Sequence, residues 1–184
     1  MKILISAFPT FSNLEKNPSE ELLKVLKSKT HELVKVLIPV EWDTAFAVLD
    51  RKINEENPDA IIMLGAAGRD KFSFENVAKN YRKLDSIDNQ GNHPDTEEIV
   101  ENGPKELHAT LNPRNFLGAF NAINIPSEIS SDAGSYLCNE TFYKCLYYHS
   151  NTPSIFIHIP TKIDLDKALK YGSVGFDFMF ECIL

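Results

Sequence analysis

Short apolar runs alternate with amphipathic stretches along this chain. Residues 2–8, Lys2-Ile3-Leu4-Ile5-Ser6-Ala7-Phe8, predict a first strand. Asn17-Pro18-Ser19-Glu20 then carries a capping side chain, an early proline and a first-turn acid, the signature of a helix start. Leu22, Leu23, Val25 and Leu26 give that helix its apolar stripe. Residues 34–40 predict a second strand. Residues 43–56 predict a helix, with Ala45, Phe46, Val48, Leu49 and Ile53 at helical spacing. Asp59-Ala60-Ile61-Ile62-Met63-Leu64-Gly65 is a continuous apolar run closed by glycine, as expected of a strand buried on both faces.

The second half is less regular. Residues 81–115 are polar and rich in Asn, Asp, Gly and Pro, and predict a long irregular excursion with room for a short hairpin or edge strand. A strand is expected over 120–125, a helix over 134–149, a strand over 154–159 and a short final helix over 164–171. Alternation of buried strands with helices predicts an α/β three-layer domain spanning 1–184.

At 184 residues the chain supports one well-buried domain. The 43% hydrophobic and 24% charged fractions are those of a soluble globular protein. A net charge of −7 with no Lys/Arg run argues against a nucleic-acid partner. No stretch nears the roughly 20 apolar residues of a membrane span, and the amino-terminal run is too short for a signal peptide. Three cysteines in no tight framework suit a reducing compartment, so the expected location is cytoplasmic.

Candidate chemistry centres on Cys138, in Ser131-Asp132-Ala133-Gly134-Ser135-Tyr136-Leu137-Cys138-Asn139. Early in a helix, a cysteine feels the positive end of the macrodipole and free N–H groups, which favour thiolate and can hold an oxyanion. The plain alternative, a buried helix cysteine, describes most free cysteines and is the reading taken for Cys145 and Cys182. His158 lies in Phe156-Ile157-His158-Ile159-Pro160; such a histidine is more often a satisfied core residue, although burial favours its neutral, base-competent form. Glu75 alone reads as a first-turn helix glutamate. As a third member with Cys138 and His158 it would fix the imidazole's orientation. His31, His93, His108 and His149 show no metal-ligand spacing, and Gly65-Ala66-Ala67-Gly68-Arg69 is not a phosphate-binding fingerprint.

Taken together these segments resemble the pyroglutamyl peptidase I family of cysteine peptidases. Phe8 and Phe11 followed by Asn17-Pro18-Ser19-Glu20 match its G-F-x-P-F-G-G…N-P-[ST]-x motif. Gly65, Ala67, Gly68, Arg69, Glu75, Ala78 and Asn80 match G-x-A-x-G-R…E-x-x-A-x-N, with one residue fewer before the arginine. Asp88-Asn89 with Gly91, and Gly103-Pro104, match two short turn elements. Ala133-Gly134, Leu137-Cys138-Asn139 and Tyr143 match the nucleophile motif, and Phe156 to Pro160 matches F-I-H-V-P. The matches cover roughly residues 2–160.

The resemblance implies an α/β/α sandwich with a mostly parallel mixed sheet, resembling phosphorylases. It implies removal of an amino-terminal pyroglutamyl residue from peptides through a thioester acyl-enzyme, with no cofactor or metal. Cys138 would be the nucleophile, His158 the base and then acid, and Glu75 the orienting carboxylate. Phe8 and Phe11 would line the pocket, with Tyr136 as a third wall, and assembly as a homodimer or homotetramer is expected.

The chain departs from the family at Ala7, at Ser12-Asn13, in the shortened loop before Arg69 and at Asp85. Counted without gaps from Glu75, Asp85 stands where the resemblance places an arginine near the reacting carbonyl. An anion there would oppose an oxyanion and a thiolate, and Arg82 and Lys83 are the neighbouring cations that could take its place. The alternative function is therefore a binding or regulatory relative that kept the pocket and lost turnover.

Overall fold

The computed structural model describes residues 1–10 and 15–182, Cys182 by its backbone alone. The strands are β1 (Lys2–Ala7), β2 (Glu32–Leu37), β3 (Ala60–Ala67), β4 (Phe72–Glu75), β5 (Val77–Lys79), β6 (Glu106–His108), β7 (Ser127–Ser130) and β8 (Ser154–Pro160). The helices are α1 (Pro18–Val25), α2 (Thr44–Glu56), α3 (Pro113–Ala122), α4 (Leu137–Tyr148) and α5 (Leu165–Cys182). Six strands form one sheet in the order β2-β1-β3-β8-β4-β7. All its neighbours run parallel except β4 against β8, which are antiparallel. β5 and β6 pair separately.

Side chains alternate across a strand, so each strand feeds two layers. Ile3, Ile5, Ile62, Leu64, Phe72, Phe74, Ile155 and Ile157 pack with α1, α3 and α5 in one core. Leu4, Ile61, Met63 and Phe156 pack with α2 and α4 in the other. The parity has a consequence for the chemistry. With Phe74 on the first face, Glu75 belongs to the second; with Phe156 on the second, so does His158. Both are directed toward the layer that contains α4, the helix of Cys138.

Several boundaries differ from the sequence expectations. The strand expected over 120–125 is the end of α3. Asn112 caps that helix by accepting from the Arg114 N–H at 3.0 Å, Pro113 opens it, and Phe116 and Phe120 are buried at helical spacing. The strand that follows is β7, from Ser127. β2 begins at Glu32 and ends before Pro39. Glu75 is a strand residue, not a first-turn helix glutamate. The last helix runs well beyond 171 through Gly172 and Gly175, where a Cβ would strike Leu22 and the Phe120 ring. The glycines lower helix propensity but let α5 sit closely on α1 and α3.

The expected excursion contains β6 and is held to α4 by buried polar side chains. Asn139 accepts from the Lys79 N–H at 2.9 Å and donates to the Lys79 and Tyr81 carbonyls at 2.8 and 2.9 Å. Arg82 donates to Glu140 at 2.7 Å, and the Tyr143 hydroxyl to the Pro104 carbonyl at 2.6 Å. An unpaired charge in such a place is costly, so Arg82 and Glu140 hold each other.

Candidate active site

The carboxyl ends of β3 and β8 and the start of α4 meet at one point. β3 and β8 pair in parallel with Gly65 opposite His158. A Cβ built on Gly65 would lie 2.9 Å from Cys138 Sγ and 2.7 Å from Phe156 Cζ. The thiol therefore rests directly over the glycine whose strand partner is the histidine. Gly65→Ala is expected to displace the thiol or the Phe156 ring, which itself packs 4.9 Å from the His158 ring. The overpacking should cost about 1–3 kcal/mol of stability and lower kcat about 10²-fold through misplacement of the reacting atoms. Thermal melts and turnover measured together check it; unchanged kcat would mean the thiol does not work where it is seen.

Glu75 is fully buried and His158 nearly so. His158 Nδ1 and Glu75 Oε1 are 2.7 Å apart. A carboxylate can only accept, so Nδ1 carries the proton and Nε2 is left as the basic nitrogen. Arg69 Nη1 donates to the same Oε1 at 2.8 Å, and Arg69 Nη2 donates to the Asp132 carbonyl at 2.7 Å. Glu75 Oε2 has no hydrogen-bond partner among the described residues.

Cys138 is the second residue of α4, after the cap residue Tyr136 and Leu137. The thiol does not behave as its helix position suggests. Burial first, and the Glu75 carboxylate second, push it up to about 12, against the smaller opposing pull of its own peptide N–H and of Arg69. The direction is opposite to the one expected from the macrodipole. Alkylation of Cys138, mapped by mass spectrometry, is accordingly expected to accelerate about tenfold per pH unit from 7 to 10. A plateau between pH 8 and 9 would contradict it.

Beside Cys138 runs a narrow apolar cleft lined by Phe8, Val40, Ala66, Tyr136, Leu137 and the cysteine. The Tyr136 ring meets Trp42 edge-on at 5.1 Å, and its hydroxyl donates to the Ile87 carbonyl at 3.0 Å. Phe11 and Ser12-Asn13 lie outside the described residues. Ala66 contributes backbone rather than side chain. The Ile61 N–H bonds the Pro153 carbonyl on the β8 side. Alternation then turns the peptide groups of Ile62, Leu64 and Ala66 toward β1. Pairing with β1 stops at Ala7 opposite Leu64, while pairing with β8 continues to Ala67 opposite Pro160. The Ala66 N–H and C=O are thus turned to the β1 side beyond the last β1–β3 pair among the described residues.

Asp85 is exposed and paired with Lys83 at 3.2 Å. Neither neighbouring cation replaces the family's arginine: Lys83 faces Asp85, and Arg82 bonds Glu140, Asp43 and Thr96. The cation that does reach the set is Arg69, which together with Gly65 and Ala66 was not among the expected site residues. A signal existed, since Arg69 closes the G-x-A-x-G-R segment just ahead of Glu75. Among the described residues, no group of His, Cys, Asp or Glu is placed to hold a metal ion, and no helix is long and apolar enough to cross a membrane.

A thiol over the glycine that pairs with a histidine, whose Nδ1 is held by a buried carboxylate, at the carboxyl ends of the central strands of an α/β sheet, defines a cysteine hydrolase. Comparison with known proteins narrows the class. The family model for pyroglutamyl peptidase matches residues 1–177, and the chain belongs to that family. It is 35% identical over 167 residues to a pyrrolidone-carboxylate peptidase of Thermosipho melanesiensis, covering 87% of this chain and 83% of that protein. It is 38% identical over 167 residues to a pyrrolidone-carboxylate peptidase of Caldanaerobacter subterraneus, covering 87% and 82%. Among solved structures, pyroglutamyl peptidase I from Bacillus amyloliquefaciens superposes with a TM-score of 0.83 at 31% identity, over 95% of this chain and 93% of that one. A mutant pyrrolidone carboxyl peptidase from Pyrococcus furiosus gives 0.88 at 28% identity over the whole of both chains.

Proposed function

We propose that this protein is a cysteine exopeptidase that removes an amino-terminal pyroglutamyl residue from peptides. The observation that carries the reading is the 2.7 Å bond from His158 Nδ1 to the buried Glu75 carboxylate, on the sheet face where Cys138 lies. His158 Nε2 takes the proton from Sγ as sulfur attacks the pyroglutamyl carbonyl. The oxyanion is met by the free N–H groups at the start of α4. Collapse expels the peptide amine, which takes the proton from Nε2, and leaves a thioester on Cys138. Water, deprotonated by Nε2, then attacks the thioester; the thiol regains its proton and pyroglutamate departs.

The chemistry of the cleft suits this substrate, and its cavity of about 10 Å³ must widen to admit the ring. A lactam carries no ammonium, so an apolar slot walled by Phe8 and Tyr136 accepts it and rejects a charged amino terminus through desolvation. The lactam's adjacent N–H and C=O complement the Ala66 C=O and N–H, which lie beyond the last β1–β3 pair among the described residues. No observation favours the impaired binding relative, since Asp85 is drawn out to solvent by Lys83. A cytoplasmic location, on the cysteine usage, and homodimeric or homotetrameric assembly, on the family resemblance, remain part of the proposal. The test is hydrolysis of a fluorogenic pyroglutamyl amide under reducing conditions, beside the prolyl amide. A preference of at least about 10³-fold for the lactam is expected. No release from folded protein would sink the peptidase reading.

A further inference from the structure

Arg69 is the one cation in contact with the His158–Glu75 pair among the described residues, and it makes two different bonds. Nη1 lies 2.8 Å from Glu75 Oε1, the same oxygen that His158 Nδ1 approaches at 2.7 Å. Nη2 lies 2.7 Å from the carbonyl of Asp132, in the loop that passes through Gly134 into Tyr136 and Cys138. One planar group therefore spans the carboxylate behind the base and the loop that delivers the thiol.

The arginine is itself held. Its N–H bonds the Ala67 carbonyl at 2.7 Å, and its carbonyl accepts from Lys162 at 3.0 Å, just past the strand of His158. Thr161 also bonds the Ala67 carbonyl, through its N–H at 3.0 Å. The backbone of Arg69 is thus fixed to the ends of β3 and β8, the two strands that face each other at Gly65 and His158.

Glu75 has no exposure, and its other oxygen has no hydrogen-bond partner among the described residues. A carboxylate taken wholly out of water is costly without an opposing charge. His158 must remain neutral to act as a base, so it cannot supply that charge in the resting enzyme. Arg69 can, and it meets Oε1 from a direction that leaves Nδ1 its own bond. The fork geometry also explains why an arginine is needed: an ammonium is a point charge and cannot bridge a carboxylate and a carbonyl in fixed orientation.

We propose that Arg69 is a positioning residue for the peptidase reaction, locking Glu75 and the Cys138 loop into one rigid alignment through its two guanidinium nitrogens. The inference rests on the peptidase reading above. Arg69 acts through Glu75 and the loop, so its effect belongs to kcat rather than to substrate binding in the Phe8–Tyr136 cleft.

The test is kinetic. Arg69→Ala is expected to lower kcat for a pyroglutamyl amide about 10²-fold with KM changed less than threefold. Millimolar guanidinium chloride should restore at least tenfold, because the side chain is partly open to solvent, while the same concentration of sodium chloride should not. Arg69→Lys, which keeps the charge and loses the bridge, should recover less than a tenth of wild-type kcat and serves if the alanine variant does not fold. In a cycle with Glu75→Gln, the two losses should be strongly less than multiplicative. An unchanged kcat, a defect confined to KM, or a lysine variant as active as wild type overturns the proposal. Wild-type protein with no turnover at all would instead strike the peptidase reading beneath it.

Discussion

Cys138→Ala is expected to reduce kcat/KM for a pyroglutamyl amide by about 10⁴–10⁶-fold while leaving the melting temperature nearly unchanged. The size follows from chemistry, since removing a nucleophile leaves only the binding and oxyanion contributions behind. The small effect on stability follows from position. The residue keeps some surface exposure and sits at a helix start, and the sulfur's bond is to its own peptide N–H, a group left free at helix starts in any case. Truncating sulfur to hydrogen there should cost no more than about 1 kcal/mol. Cys145→Ala is the matched control. Cys145 is fully buried, with its sulfur 3.6 Å from Ser154 Oγ, so it should lose stability and keep turnover. A Cys138→Ala protein retaining a tenth of wild-type activity would remove the thiol from the mechanism.

The site was legible in the sequence where side chains announce it. Cys138 and His158 stand in distinctive neighbourhoods, and the order of motifs tied them to Glu75. The secondary structure around Glu75 was not legible, because β4 has only four residues and is defined by pairing with β7 and β8 from distant parts of the chain. Ala66 gave no signal at all. The part proposed for it belongs to two peptide groups, turned to the β1 side where β1 stops pairing before β3 does. The direction in which the thiol is pushed was not legible for a related reason. A helix start is visible in sequence, but the packing of Cys138 against Gly65 and the nearby Glu75 carboxylate is not, and these dominate. The strand expected over 120–125 is instead the end of a helix, because Phe116 and Phe120 carry the helical spacing and residues 120–122 are only its final turn.

Asp85 shows how a sequence departure can look graver than it is. Aligned to a cation, it suggested an anion inside the site. In the fold it is drawn to Lys83 at the surface, and the charge facing the reacting groups comes from Arg69. The sheet explains why. Arg69 leaves the end of β3 and is pinned just past the end of β8, whereas Asp85 belongs to the excursion, which meets the site through the backbone of Lys83 and Ile87 and leaves the Asp85 side chain paired with Lys83 at the surface.

Glu75→Gln should separate two properties that usually move together. Gln is nearly isosteric and keeps an oxygen for Nδ1, but it removes the charge that orients the imidazole and stabilises it when protonated. A loss in kcat of about 10³–10⁴-fold is expected, of the order seen when the acid of a comparable triad is amidated. Alkylation of Cys138 should move the other way. The Glu75 carboxylate is one of the two causes that push the thiol up to about 12, and Arg69 opposes it. Without the carboxylate the second cause is removed while burial remains, so the thiol moves part of the way down and more thiolate is present at pH 8. Alkylation at that pH should therefore be faster in the variant than in the wild type, while turnover is slower. A general loosening of the site could speed alkylation too, but it would also expose the buried Cys145, whose labelling should stay slow. If alkylation of Cys138 and turnover fall together, Glu75 is a packing residue and the orienting role assigned to it fails.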